Sequence, residues 1–156
     1  MIKRIYIKDF AIIDELELPI NDGLTVITGE TGAGKSMLID ALSLGLGARA
    51  DTSLIRHGAE KASIEVRFSL DEKHPVCDIL SDYGLELEDG ELFLRRVLSR
   101  DKSRAFVNGA QVTQTQLQSL GEKLVDIHGQ YDGQLILKPV NHVNMLDQFG
   151  GLKTER

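Results

Sequence analysis

One octapeptide constrains this chain more than anything else in it. Gly29-Glu30-Thr31-Gly32-Ala33-Gly34-Lys35-Ser36 satisfies the pattern G-x-x-x-x-G-K-[ST] in full. Its surroundings agree with it. Leu24-Thr25-Val26-Ile27-Thr28 is rich in β-branched residues and reads as a short strand buried on both faces. After the motif, Leu38, Ile39, Leu42 and Leu46 recur at helical spacing, and Gly45 and Gly47 mark the end of that helix. Phosphate chemistry explains the residue types. Glycines let the backbone wrap closely around phosphate oxygens. Successive N–H groups then form an anion-binding nest, and the helix N-terminus adds partial positive charge. Lys35 is placed to reach the β- and γ-phosphates, and the Ser36 hydroxyl to ligate Mg²⁺. A glycine turn that merely closed a strand–helix unit would not need Lys and Ser at these offsets.

Binding is not hydrolysis. A hydrolytic site of this kind also needs an acidic residue at the end of an apolar strand. No apolar run after the phosphate loop ends in Asp-Glu; the one before it, Phe10 to Ile13 ahead of Asp14-Glu15, precedes the loop in sequence. Leu124-Val125-Asp126 comes nearest, but its run is short and Ile127-His128 follows, so Asp126 reads as a structural residue. The phosphate loop is complete while the rest of the catalytic set is missing.

The remaining sequence bounds the fold. A chain of 156 residues that is 42% hydrophobic can bury a core as one compact domain. A single cysteine, Cys77, excludes an intramolecular disulfide framework. His57, His74, His128 and His142 show no zinc-type pairing with a second ligand. No apolar run approaches the roughly 18 residues of a membrane span, and the N-terminus does not read as a signal peptide. These features point to a reducing, non-membrane compartment. The net charge of −6 argues mildly against a chain that coats nucleic acid over its whole surface.

Alternation and punctuation then give a β-rich, mixed α/β reading. Residues 2–7 and 14–18 read as half-buried strands. Ile64, Val66, Phe68 and Leu70 alternate with polar residues as a strand with one wet face. Pro75 fits the first position of a helix carrying Val76, Ile79, Leu80 and Tyr83, with Gly84 as its stop. Residues 91–98 and 104–107 read as strands around a polar turn, and Asn108-Gly109 signals another tight turn. Thr113 with Gln116 matches a capping box for a helix to about Gly121. A strand over 124–128 and a last helix from Pro139 to Phe149 complete the reading.

The run from Ile5 to Leu18, followed by Gly23 to Ser36, closely resembles the RecN family of bacterial DNA repair proteins. So do Gly47-Ala-Arg-Ala-Asp51, Ser103-Arg-Ala-Phe-Val-Asn-Gly109 and Leu124-Val-Asp-Ile-His-Gly-Gln130, in order and with this spacing. The resemblance implies an α/β P-loop NTPase of the ABC/SMC head type. It implies the N-terminal lobe of that head over residues 1–150, an antiparallel β-subdomain beside a P-loop strand–helix core. Residues 151–156 would lead toward a coiled coil. ATP and Mg²⁺ are the implied cofactors. The implied partners are the protein's own C-terminal head lobe and coiled coil, a second copy forming a homodimer through ATP-engaged heads, and DNA at double-strand-break ends, with no membrane. The implied location is the bacterial cytoplasm, at the nucleoid. In that family the signature, the Walker B Asp-Glu and the switch histidine belong to the C-terminal lobe.

Some roles rest on the resemblance alone. Gln130 falls at the family's Q-loop position, where a glutamine ligates Mg²⁺ and senses the γ-phosphate. The Tyr131-Asp132-Gly133 that follows departs from the family's usual His or Glu. Arg49 stands where SMC-like heads carry an arginine that approaches nucleotide or DNA, with a surface arginine as the competing reading. Arg95, Arg96, Arg100, Lys102 and Arg104 cluster around one hairpin. They read as a solvated face, with DNA contact as the alternative. Leu42 to Gly47 looks superficially like a signature motif but reads as helix packing. The competing functions are a RecF-type or SMC-type head, a small P-loop kinase, and a non-enzymatic module whose nucleotide site only stabilises its fold.

Overall fold

A computed structural model describes residues 1–28 and 34–127. The chain divides into a compact unit Met1–Val125 and a second unit Asp126–Arg156. The architecture below is that of the first.

Six antiparallel strands form one sheet: β1 (Ile2–Phe10), β2 (Ile13–Pro19), β3 (Lys61–Ser69), β4 (Glu91–Ser99), β5 (Ser103–Val107) and β6 (Ala110–Val112), in the spatial order β2-β1-β3-β4-β5-β6. Neighbours in sequence pair wherever a short turn joins them, as hairpins require. At Asn108-Gly109 both residues take positive φ, 45° and 78°, which turns β5 into β6. Strand β6 went unread in the sequence because three residues carry no usable period.

Strand register stacks the apolar positions in rows across one face. Ile5 faces Val66, Val66 faces Leu94, and Leu94 faces Val107. The next row runs Ile7, Ile64, Arg96, Ala105. Apart from Arg96 these are core side chains, and each large one contributes about 1.5–3 kcal/mol by leaving water. The other face carries Tyr6, Glu65, Arg95 and Phe106.

Three helices cover the apolar face: α1 (Lys35–Gly45), α2 (Val76–Asp82) and α3 (Gln114–Leu124). Helix α1 lies over β1, β3 and β4, while α3 contacts β5 and packs against α2. The capping box holds as read. Gln116 N–H donates to Thr113 Oγ1 at 3.2 Å, and Thr113 N–H donates to Gln116 Oε1 at 2.9 Å. The exit of α1 crosses α3 at contact distance. A Cβ on Gly121 would lie 2.2 Å from the Leu46 carbonyl oxygen, and one on Gly47 would lie 2.4 Å from the Gln118 nitrogen. Gly45 sits against Ile64 and Val66. The Leu42–Gly47 stretch is therefore helix packing.

Four expectations are corrected. Residues 24–28 belong to no strand and are exposed, with Leu24 at 91% and Val26 at 70%. A strand buried on both faces needs a neighbour on each edge and cover on each side, and no described residue supplies them. Helix α3 continues to Leu124, past the expected stop at Gly121, because Gly121 packs on Leu46 and does not end the helix. Residues 125–127 consequently form no strand. Pro75 stands at the N-cap of α2, one position before its expected place. The helix expected over 139–149 lies outside the described residues.

Candidate nucleotide-binding site

The site is built on the start of α1. Gly34 is its N-cap, Lys35 and Ser36 are its first two residues, and Gly34 and Ser36 are exposed. Among the described residues no side chain caps the helix, and its first turn holds no acidic residue. The first N–H groups of a helix have no partner within it. Most helices meet that need with Ser, Thr, Asp or Asn at the N-cap, as Thr113 does for α3. Here glycine takes that place, and a Cβ at Gly34 would meet nothing within 4 Å. Among the described residues the helix end thus carries no capping side chain and is electropositive, with an ammonium and a hydroxyl at its first two positions. Phosphate oxygens would suit it, and the Ser36 hydroxyl is of the donor type that would help hold a magnesium ion there.

Helix packing fixes the direction of that end. Leu38, Ala41, Leu44 and Gly45 are buried along one stripe. Ile39, on the other side, is 45% exposed. Gly29, Glu30, Thr31, Gly32 and Ala33 lie outside the described residues, as does Gln130. Arg49 is exposed and follows the opposite end of α1, beyond Gly47. The helix of 11 residues puts about 16 Å between its two ends, so described geometry does not bring Arg49 to Lys35. Asp126 is exposed past the end of α3, with no strand leading to it.

The arginine run near β4 and β5 separates. Arg95 pairs with Glu65 at 3.3 Å on the outer face of the sheet. Arg96 is 1% exposed, inside an apolar row. Its Nε donates to Ser103 Oγ at 2.7 Å, while Nη1 has no partner, and burial pushes its pKa below the usual guanidinium value. Arg100, Lys102 and Arg104 are exposed. Parity would have separated Arg96 in the sequence, since it falls in step with Leu92, Leu94 and Leu98. Among the described residues no group of three His, Cys, Asp or Glu side chains forms a metal centre. No helix among them is long and apolar enough to cross a membrane.

Comparison with known proteins adds to this geometry. A family described as "AAA domain" matches residues 4–148. The chain belongs to the AAA domain family. Its similarity extends to curated relatives. It is 44% identical to the DNA repair protein RecN of Bacillus subtilis over 156 residues, covering 99% of this chain and 27% of that protein. It is also 44% identical to RecN of Vibrio cholerae, covering 97% of this chain and 27% of the relative. The chain therefore spans about a quarter of the length of the RecN proteins it matches. Among solved structures, the Smc head domain with an extended coiled coil from Pyrococcus furiosus, bound to the C-terminal domain of ScpA, superposes with a TM-score of 0.71. The identity there is 22%, over 96% of this chain and 42% of the Smc chain. The fold of this AAA domain is accordingly that of an SMC-type ATPase head, as the resemblance to RecN implied.

Proposed function

We propose that this AAA domain is the nucleotide-binding lobe of an ATPase head in a RecN-like protein that repairs DNA double-strand breaks. The observation that carries the reading is the start of α1. A complete phosphate-loop motif runs into a helix with no side-chain cap among the described residues, Lys35 and Ser36 first, in a fold like that of SMC heads. Gly29 through Ser36 wrap the phosphates of ATP, with Lys35 opposite the β- and γ-oxygens. Ser36 and Gln130 hold Mg²⁺, and Gln130 reports on the γ-phosphate. Arg49, exposed beyond the far end of α1, takes the surface reading and no part in holding the phosphates. Bound Mg-ATP supplies the phosphoanhydride whose cleavage the complete head catalyses.

Hydrolysis in this reading needs a second lobe. The apolar run ahead of Asp14-Glu15 precedes the phosphate loop and is broken by the β1–β2 turn, and no run after the loop ends in Asp-Glu. The segment 24–28 supports the same conclusion. It has the composition of an interior strand, yet Leu24, Val26 and Ile27 are 91%, 70% and 47% exposed. Exposed apolar runs of this kind mark surfaces that another element covers. The protein's own C-terminal head lobe is that element, adding strands beside 24–28 across the coiled coil that residues 151–156 approach. Residues 1–150 are then one half of a head. Two heads form a homodimer with ATP between them, and DNA ends are engaged by the longer protein, in the bacterial cytoplasm. ATP binds the engaged state better than the open one and so shifts the population toward it.

The test is direct. The chain should bind Mg-ATP, and Lys35→Ala should weaken binding at least about tenfold, since a hydrogen bond to a charged group contributes about 1.5–3 kcal/mol. Equal affinity, measured by titration calorimetry, would overturn the site. Hydrolysis by the chain alone should stay near background. Robust turnover that Lys35→Ala abolishes would overturn the half-site reading.

A further inference from the structure

The helices pack on the apolar face of the sheet, and the opposite face carries a groove of about 460 Å³. Its lining brings together Glu65 of β3, Phe93 and Arg95 of β4, Phe106 of β5, the Asn108-Gly109 turn and Glu88. Strand register builds the floor, since Glu65 pairs with Arg95 and Arg95 with Phe106 across neighbouring strands. Glu88 comes from the connection between β3 and β4, and the wall it forms is pinned. Asn108 fastens that connection to the sheet. Its Nδ2 donates to the Glu86 carbonyl at 2.7 Å, and its Oδ1 accepts from Phe93 N–H at 2.8 Å. Glu88 N–H donates to the Glu91 carbonyl at 3.0 Å, and Asp89 and Gly90 take positive φ, 53° and 76°, to close the turn between them. A groove with walls already ordered binds at a lower entropy cost.

Other polar groups of the groove have partners. Arg95 pairs with Glu65, and both ends of the Asn108 amide are bonded within the chain. The Phe93 ring already carries the Arg67 guanidinium at 4.8 Å, itself held by Glu91 through a 2.8 Å bond. Two features are left open among the described residues. The exposed Glu88 carboxylate forms no ion pair, and no cation lies over the half-buried Phe106 ring. We infer that this groove docks a basic, partly apolar segment of a partner protein, with an arginine or lysine side chain between the Phe106 ring and Glu88. Charge complementarity selects that occupant. The connection that supplies Glu88, residues 71–91, holds eight carboxylates against one lysine, more negative charge than the net −6 of the whole chain. Its field attracts a cationic segment and repels a polyanion. A cation over an aromatic face gains further from a carboxylate beside it. Arg67 over Phe93, bonded to Glu91, is the same arrangement made within the chain. None of the groove residues belongs to Gly29–Ser36 or to α1.

The test titrates the full chain into a short labelled peptide that alternates arginine with leucine, and reads fluorescence anisotropy. The peptide should bind, and more weakly as salt rises, since the charge at the rim is exposed. A peptide alternating glutamate with leucine should not bind. Glu88→Lys should lower affinity at least about tenfold. Phe106→Leu, which keeps an apolar floor and removes the ring, should lower it about twofold to fivefold. Glu122→Lys, the same charge change on α3 across the sheet, should leave affinity unchanged. Melting temperature reports the fold of each variant, and the neutral Glu88→Gln carries the test should the charge reversal alter melting. Absence of binding by the arginine peptide would overturn the groove, as would equal binding of the two peptides. Undiminished binding by either folded groove variant would overturn it as well. So would an equal loss in Glu122→Lys, which would mean diffuse attraction to an acidic chain. Concentration-dependent dimerisation of the unaltered chain, abolished by Glu88→Lys, would give the groove to a second copy and overturn the partner.

Discussion

The sheet body and the segment leading to the phosphate loop are made of the same residue types and end in opposite situations. Ile5, Ile7, Ile64, Val66 and Phe68 are almost wholly buried, whereas Leu24 and Val26 stand mostly in solvent. Hydrophobicity does not separate them. The body closes on itself because sequence neighbours pair as hairpins, with α1, α2 and α3 covering one face. The run 24–28 has the pattern of a strand with two buried faces, and such a strand needs neighbours that adjacent sequence does not provide. An apolar segment therefore reports where a chain finishes its own core and where it leaves an interface for something else.

If that contrast is real, the body should respond to mutation as a finished core. Phe68→Ala on the central strand β3 is expected to cost about 3–5 kcal/mol, from lost burial and the cavity left behind. Denaturant unfolding of the chain measures it, and a cost under about 1 kcal/mol would show that the body is loosely packed. The crossing of α1 on α3 should respond next. Gly121→Ala places a methyl group 2.2 Å from the Leu46 carbonyl oxygen, where backbone and not a flexible side chain must yield. Overpacking of this kind costs about 1–3 kcal/mol. An unchanged unfolding midpoint would mean that the two helices separate freely.

The same contrast explains what the sequence disclosed. Strict alternation in 63–69, the Thr113–Gln116 box and the Asn108-Gly109 turn are local signals, and each became the element it announced. The strand expected over 24–28 failed because its formation depends on residues elsewhere. Helix α3 overran Gly121 because a glycine can serve close packing as readily as a stop, and only the neighbour at Leu46 distinguishes the two. Arg96 was grouped with surface cations although its parity already placed it in the apolar row. Beside the site, the helical spacing of Leu38, Ile39, Leu42 and Leu46 announced a helix from Lys35, and α1 begins there. The groove at Glu65, Phe93 and Phe106 was not legible, since strand pairing brings together segments some forty positions apart.

The smallest expected effect is the most discriminating. Val26→Asp should leave the stability of this chain within about 0.5 kcal/mol, as substitutions at exposed positions do. In a longer protein that includes the complementing lobe, the same carboxylate would be carried into a strand interior. Burying a polar group without a partner costs about 1–3 kcal/mol by mutational measures, and more for a charge. Paired unfolding measurements on the two proteins should therefore diverge, with the longer one losing stability and the shorter one indifferent. Ile12→Asp, at another exposed apolar side chain on the β1–β2 turn, serves as the control that no covering strand is expected to reach. Equal tolerance of Val26→Asp in both proteins would mean that 24–28 is ordinary surface, and the comparison between body and segment would lose its physical basis. Strong destabilisation of the short chain would mean that the segment is already buried within it. Divergence at Val26 with none at Ile12 would place the unfinished interface on the segment that leads into the phosphate loop, coupling completion of the head to the geometry of Lys35 and Ser36.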